Sequence, residues 1–246
     1  MELSASLTLP ALIFLAAVLY SSVGHGGASA YLAVMALFGT APVVMKPTAL
    51  TLNILVSAIA FIKFYRAGCF SWRLFLPFAL TSVPLAFLGG SIILPTTLYK
   101  PIVGGVLIYA AIRLFFSAKS TPGTELRSVN IPIAVLLGAL IGLLSGLTGV
   151  GGGIFLSPLL IFLGWEDARH VSGVSAAFIF VNSIAGLSGH LSVVSDLPSF
   201  IPFWAVAAVA GGWLGAEYGS KRLGNPTLRQ LLAVVLVIAG LKMIFA

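Results

Sequence analysis

The sequence predicts an all-α polytopic membrane protein made of two inverted five-segment repeats, each with a Gly-rich break before a short helix. Three observations lead there. Only 8% of the 246 residues are charged, against roughly 25% in an average soluble domain. Ten apolar segments follow one another with little punctuation between them. The first five recur in the last five at a nearly constant offset, with the charge of the connecting loops reversed.

Charge scarcity excludes the most. With 13 Lys or Arg, 6 Asp or Glu and 59% hydrophobic residues, the chain cannot cover the surface of a soluble fold of its size. That excludes a cytosolic enzyme, a nucleic-acid-binding domain and a disordered chain. The net charge of +7 does not point to nucleic acid, because the basic residues lie scattered over loops. Cytoplasmic loops of membrane proteins collect Lys and Arg in any case. A single cysteine, Cys69, excludes a disulfide framework and a thiolate metal cluster. Met1 to Pro10 carries only Glu2 and lacks the basic region of a cleavable signal, so the first apolar stretch is expected to remain. Crossing a core of ~30 Å takes about 20 helical residues, which leaves room for about ten crossings and no soluble domain.

The segments run over 7–23, 26–39, 46–66, 72–93, 97–117, 130–148, 151–164, 168–190, 199–219 and 226–246. Eight are long enough to span. The two short ones, 26–39 and 151–164, supply only ~21 Å of helix each. Both adjoin glycine clusters, Gly24-His25-Gly26-Gly27 and Gly149-Val150-Gly151-Gly152-Gly153. The polar stretch 118–129 reads as a cytoplasmic linker between a first repeat, 1–117, and a second, 130–246.

A shift of 125 places Gly24, Gly26 and Gly27 on Gly149, Gly151 and Gly152. It also places Gly39 on Gly164, Phe75 on Phe200, Pro77-Phe78 on Pro202-Phe203, and Gly90 on Gly215. Charge decides the relative orientation of the halves. Lys63, Arg66 and Arg73 follow the third segment, whereas the equivalent stretch 188–199 has no Lys or Arg. The next loop reverses this, with Lys100 alone against Lys221, Arg222 and Arg229. Opposite bias at equivalent positions marks an inverted repeat. With both termini outside, ten basic residues face the cytoplasm and three, Lys46, Lys100 and Lys242, face out. Each short segment either completes a span or dips in from one side; both leave the later segments oriented alike.

The glycine clusters carry the expected chemistry. A helix that starts at a break leaves backbone N–H groups free at its positive dipole end, which attracts anions. Broken helices in paired positions point to a transport site. In inverted repeats the two tips, Gly24, Gly26 and Gly27 on one side and Gly149, Gly151 and Gly152 on the other, can meet near the membrane centre. Hydroxyl and amide groups stand beside them: Thr48, Thr51, Asn53 and Ser57 in one segment, Ser172, Ser175, Asn182 and Ser183 in its counterpart. Each Ser or Thr either faces an anion or bonds a carbonyl of its own helix. Asn53 and Asn182 need a partner or a pore. His25 is the ionisable residue placed deepest, either as an imidazolium or proton relay or as a neutral cap of the glycine turn. No Asp or Glu stands mid-segment, which disfavours a carboxylate relay and a cation site of the usual kind. Gly186-Leu187-Ser188-Gly189 has the form G-x-S-G of intramembrane serine proteases, but no histidine follows His190 to act as base. No catalytic residue, metal or cofactor is expected, and the partners are a small anion and the lipid bilayer, with a homo-oligomer left open.

The second cluster, Gly149-Val-Gly-Gly-Gly-Ile-Phe-Leu-Ser-Pro158-Leu-Leu, resembles the G-x-G-G-G-x4-P-x-L signature of the sulfite exporter TauE/SafE family. The first copy departs from it, with Ala28 for the third glycine and Ala33 for the proline. Pro47-Thr-Ala-Leu-Thr-Leu-Asn53 and Phe64-Tyr-Arg-Ala-Gly68 also resemble one branch of that family, and the likeness covers nearly the whole chain. The resemblance implies a cell-membrane transporter of sulfite, sulfonates or related organosulfur anions. The residues themselves reach only a small oxyanion at paired helix N-termini, carried by a transporter or passed by a channel, or else a scaffold without flux.

Overall fold

A computed structural model describes residues 3–116, 127–194, 198, 200–221 and 226–245. Among them are ten helices and no strand: α1 (Leu3–Ser21), α2 (Ala28–Leu37), α3 (Pro42–Arg66), α4 (Trp72–Ser91), α5 (Thr96–Phe116), α6 (Ile131–Thr148), α7 (Gly153–Leu163), α8 (Ala168–Leu191), α9 (Ile201–Lys221) and α10 (Pro226–Phe245). Four of them, α3, α4, α6 and α8, are long and apolar enough over their described residues to cross a membrane. The expected linker, 118–129, falls mostly outside the described residues. Large apolar side chains stand out from the bundle, Leu80 at 75% exposure and Val206 at 71% among them. In water such a surface would aggregate; facing lipid it is solvated.

Local chemistry sets the helix ends. The Asn130 side chain accepts the Ile133 N–H at 3.2 Å and starts α6, with Pro132 in its first turn. Asp167 starts α8 by accepting the N–H groups of Arg169 and His170 at 2.8 and 3.2 Å. Partial burial pushes the Asp167 carboxyl up. Hydrogen bonds from the His170 ring and from these two N–H groups outweigh it and hold the carboxyl below its usual value. Gly149, at φ 84°, ends α6, and Gly152, at φ 81°, starts α7, a left-handed conformation that glycine adopts without steric cost.

The start of α3 departs from the sequence reading. Lys46 marks an expected boundary there, yet the helix begins four residues earlier with Pro42 in its first turn, and Lys46 is only 5% exposed. Its ammonium donates to the carbonyls of Gly89, Gly90 and Ile92 at 3.2, 2.8 and 3.2 Å. Those carbonyls end α4, so a cation there meets orphan acceptors and the negative dipole end together. Across the fold, the Arg169 guanidinium does the same for α9, donating to the Ser220 carbonyl at 2.8 Å.

That pairing extends to the packing. Helix α4 lies against α6 and α8, while α9 lies against α1 and α3, a set that exchanging the two halves carries into itself. Glycines make both long contacts. A Cβ on Gly138, Gly142 or Gly146 of α6 would sit 2.5, 2.3 or 2.1 Å from the carbonyl oxygens of Phe78, Ser82 and Ala86. One on Gly211, Gly215 or Gly219 of α9 would sit 2.3, 2.1 or 1.9 Å from those of Phe14, Val18 and Ser22. Every fourth residue must be small for two backbones to approach this closely. Helices α3 and α8 run antiparallel, with Leu50 against Gly186, Asn53 against Ser183, and Phe64 against Gly173. Helices α5 and α10 are also antiparallel, since Gly104 faces Ile244 and Ile108 faces Gly240.

Candidate functional site

The two glycine breaks converge on the middle of α3 and α8. Gly24 lies against Ser172, near the start of α8, and Gly26 against Asn53 and Ile179, midway along both helices. From there α2 continues to Leu37, whose carbonyl accepts from Lys242 in the last turn of α10. The second break descends from the opposite end. Gly149 lies against Lys46 at the start of α3, Gly151 against Asn53, and Gly153 against Ile179. Helix α7 then returns to Trp165, beside Phe78. Each short helix, 10 or 11 residues long, matches about half of a ~30 Å bilayer core.

Asn53 joins the two tips. Its Oδ1 accepts the Ala28 N–H at the start of α2 (3.2 Å), and its Nδ2 donates to the Val150 carbonyl in the second break (3.4 Å) and to Ser183 Oγ on α8 (3.0 Å). The residue is fully buried. Sequence reasoning required a partner or a pore for this amide, and it has three partners.

His25 makes a second bridge. Its Nδ1 lies 3.1 Å from the Val23 carbonyl, which only accepts, so in the neutral ring that nitrogen carries the proton. Nε2 then accepts from Ser157 Oγ at 3.1 Å, and Ser157 in turn accepts from Ser175 Oγ at 2.7 Å. The chain runs from the first break through α7 to α8. Ser157 escaped the sequence reading because a lone serine in an apolar helix gives no signal of a partner 132 residues away. Tyr31, which donates to the Gly26 carbonyl at 2.8 Å, and the Ser29–Tyr20 hydroxyl pair at 2.8 Å brace the first break and were missed for the same reason.

The remaining hydroxyls follow the bland alternative. Thr51 donates to the Pro47 carbonyl at 2.8 Å, Thr48 to Val44, Ser172 to Ala168, and Ser57 to Asn53 at 2.5 Å, each a carbonyl four residues back on its own helix. Asn182 donates to the Phe178 carbonyl at 2.8 Å, and its buried Oδ1 has no partner. Between the tips, Tyr20, His25, Gly27, Val150, Ile154 and Ile179 line a cavity of about 10 Å³, roughly one water. Among the described residues, Glu166, Asp167 and His170 have ligand atoms within 4.8 Å of one another, at the cap of α8. Asp167 already serves there as helix cap and imidazole partner.

The sequence is similar to known membrane proteins along nearly its full length. It is 41% identical over 235 residues to the probable membrane transporter protein y4hK of Sinorhizobium fredii, covering 94% of this chain and 95% of that one. It is 26% identical over 211 residues to the probable membrane transporter protein MJ0441 of Methanocaldococcus jannaschii, covering 80% and 77%. With the probable membrane transporter protein YjnA of Bacillus subtilis it shares 25% identity over 238 residues, 90% and 92% of the two chains. No solved structure gives a significant match. The profile described as Sulfite exporter TauE/SafE matches residues 9–243. The chain, with its two glycine breaks before short helices, belongs to the sulfite exporter TauE/SafE family of membrane transporters.

Proposed function

We propose that the protein is a secondary transporter that moves a small sulfur-containing anion, sulfite, a sulfonate or a related organosulfur compound, across the cell (inner) membrane by alternating access. The observation that carries this reading is the meeting of two oppositely directed breaks at Asn53, halfway along α3 and α8. Two helix N-termini aimed at one point give an anion backbone donors and two positive dipole ends without a buried Lys or Arg. In this reading the site is made by Gly24, Gly26 and Gly27, Gly149, Gly151 and Gly152, with His25, Asn53 and Ser175 beside them. Thr51, Ser57 and Asn182 join only when helix movement releases donors now engaged with their own helices. A cavity of about 10 Å³ does not admit sulfite, so the tips must part for loading. Sulfur enters through the family, whose name carries sulfite.

The proposal takes the halves 1–117 and 130–246 as inverted repeats. Equivalent helices α3 and α8, and α5 and α10, run antiparallel side by side, which supports inversion. The basic loop residues then put both termini outside. In a Cys69→Ala background, Val193→Cys, 53% exposed just past α8, is expected to react with an impermeant maleimide in intact cells. Labelling confined to inside-out vesicles would reverse the assigned orientation.

For the transport itself, proteoliposomes should show saturable uptake of labelled sulfite and counterflow when loaded with unlabelled sulfite. Non-saturating single-channel currents would replace the carrier with a channel. Absence of flux together with no thermal shift by sulfite or sulfonates would make the protein a scaffold.

A further inference from the structure

Beside the second glycine tip lie buried oxygens that the anion site does not use; Asn182 enters that site through its Nδ2 donor, not its Oδ1. Three side-chain oxygens, Ser82 Oγ on α4, Ser145 Oγ on α6 and Asn182 Oδ1 on α8, are buried without a hydrogen-bond partner, and all three residues are fully inaccessible. The packing places them between two contacts of α4, α6 and α8. Below, the Phe78 and Phe178 rings meet at 6.5 Å, and Ser82 and Asn182 each stand one turn further along their parallel helices. Above, Gly186 touches Gly90 and Gly146, one residue past Ser145. Between these contacts, the Ser82 backbone packs on Gly142, and Ser145 and Phe178 both border Gly152, the start of α7.

We infer that α4, α6 and α8 enclose a sodium site between these contacts, formed by Ser82, Ser145 and Asn182 beside the second glycine tip. Asn182 Oδ1 can only accept, so its ligand must be a donor or a cation, and hard cations take oxygen ligands. No carboxylate from these helices accompanies the three oxygens, which suits a monovalent ion rather than a divalent one. Helix electrostatics give a second reason. The C-terminal carbonyls of α2, α4 and α9 each receive a cation, from Lys242, Lys46 and Arg169. The last carbonyl of α6, at buried Thr148, instead receives the neutral Tyr99 hydroxyl at 3.2 Å, in place of a charged side chain. Broken-helix C-termini of this kind bind coupling sodium in transporters. The inference rests on the proposed transport reading, to which it adds a coupling ion: a cation next to the α7 N-terminus attracts an anion held there, and the two affinities rise together.

The test is sodium binding by the purified wild-type protein without any anion substrate. Radiolabelled sodium should bind saturably at about one ion per chain, and sodium chloride should raise the melting temperature above that in choline chloride of equal ionic strength. Ser145→Ala and Ser82→Ala should each weaken binding about tenfold, and Asn182→Leu should remove it while melting cooperatively in choline. Identical melting in both salts with no bound sodium would overturn the site and leave ordered water in its place, as would wild-type binding by Asn182→Leu. If Asn182→Leu does not fold, Ser145→Ala alone decides. Sulfite flux without sodium binding sinks this inference and spares the transport reading; sodium binding without sulfite flux does the reverse.

Discussion

Replacing Asn53 by leucine should abolish sulfite flux and lower stability by roughly 2–4 kcal/mol. Leucine has nearly the shape of asparagine, so the change removes hydrogen bonds rather than opening a cavity. Three are lost: from the Ala28 N–H, to the Val150 carbonyl and to Ser183 Oγ. Each leaves a buried group in a place without water, at about 1 kcal/mol or more apiece. The functional loss follows from which segments the bonds join. Ala28 begins α2, Val150 lies in the opposing break, and the Asn53 amide bonds both. Without the amide the two tips lose their common reference, and a site made of backbone donors tolerates little displacement. Thermal melting in detergent and counterflow in proteoliposomes read the two effects. Asn53→Asp separates them further, because it keeps an acceptor for Ala28 but places negative charge where the anion is proposed to sit. Wild-type melting and flux in Asn53→Leu would show that the tips hold their positions without it.

The breaks themselves were legible in the sequence for a physical reason. Gly24, Gly27, Gly149, Gly151 and Gly152 all have positive φ, which L side chains rarely adopt, so the fold could write these turns only in glycine. Asn53 was legible as a buried amide in need of partners, although their identity was not. Lys46 was misread because a charge in an apolar pattern looks like a boundary; three carbonyls let it sit inside instead. Its equivalence with Arg169 was invisible too, since the two differ in identity and are offset by 123 rather than 125. The Ser157 relay depends on tertiary contact between the halves, which no local pattern encodes. Thr51 and Ser57 illustrate the opposite limit: the same hydroxyls fit a pathway or a helix carbonyl, and the structure gives them the carbonyl.

Three glycine substitutions separate the two reasons a break requires glycine. Gly68 has φ +73° with open space around an added Cβ, so Gly68→Ala feels only the left-handed strain, about 1–2 kcal/mol, and flux should persist. Gly26 lacks a positive φ, but its Cβ would stand 1.9 Å from Asn53 Oδ1, so Gly26→Ala meets the collision alone. That overpacking costs about 1–3 kcal/mol. Gly151 combines the two, with φ +80° and a Cβ 2.1 Å from Asn53 Nδ2 and 3.0 Å from Ser183 Oγ. Gly151→Ala should therefore lose about 2–5 kcal/mol, the sum of the other two, and all flux. The sum is informative because Gly68 lies outside the site and its strain term transfers independently. If Gly151→Ala melts only as far below wild type as Gly68→Ala and still transports, the Asn53 amide moves freely out of the way. The bridge between the tips would then be incidental to their placement. If Gly26→Ala loses flux while retaining most of its stability, the contact at Asn53 matters to the transport cycle beyond holding the bundle together.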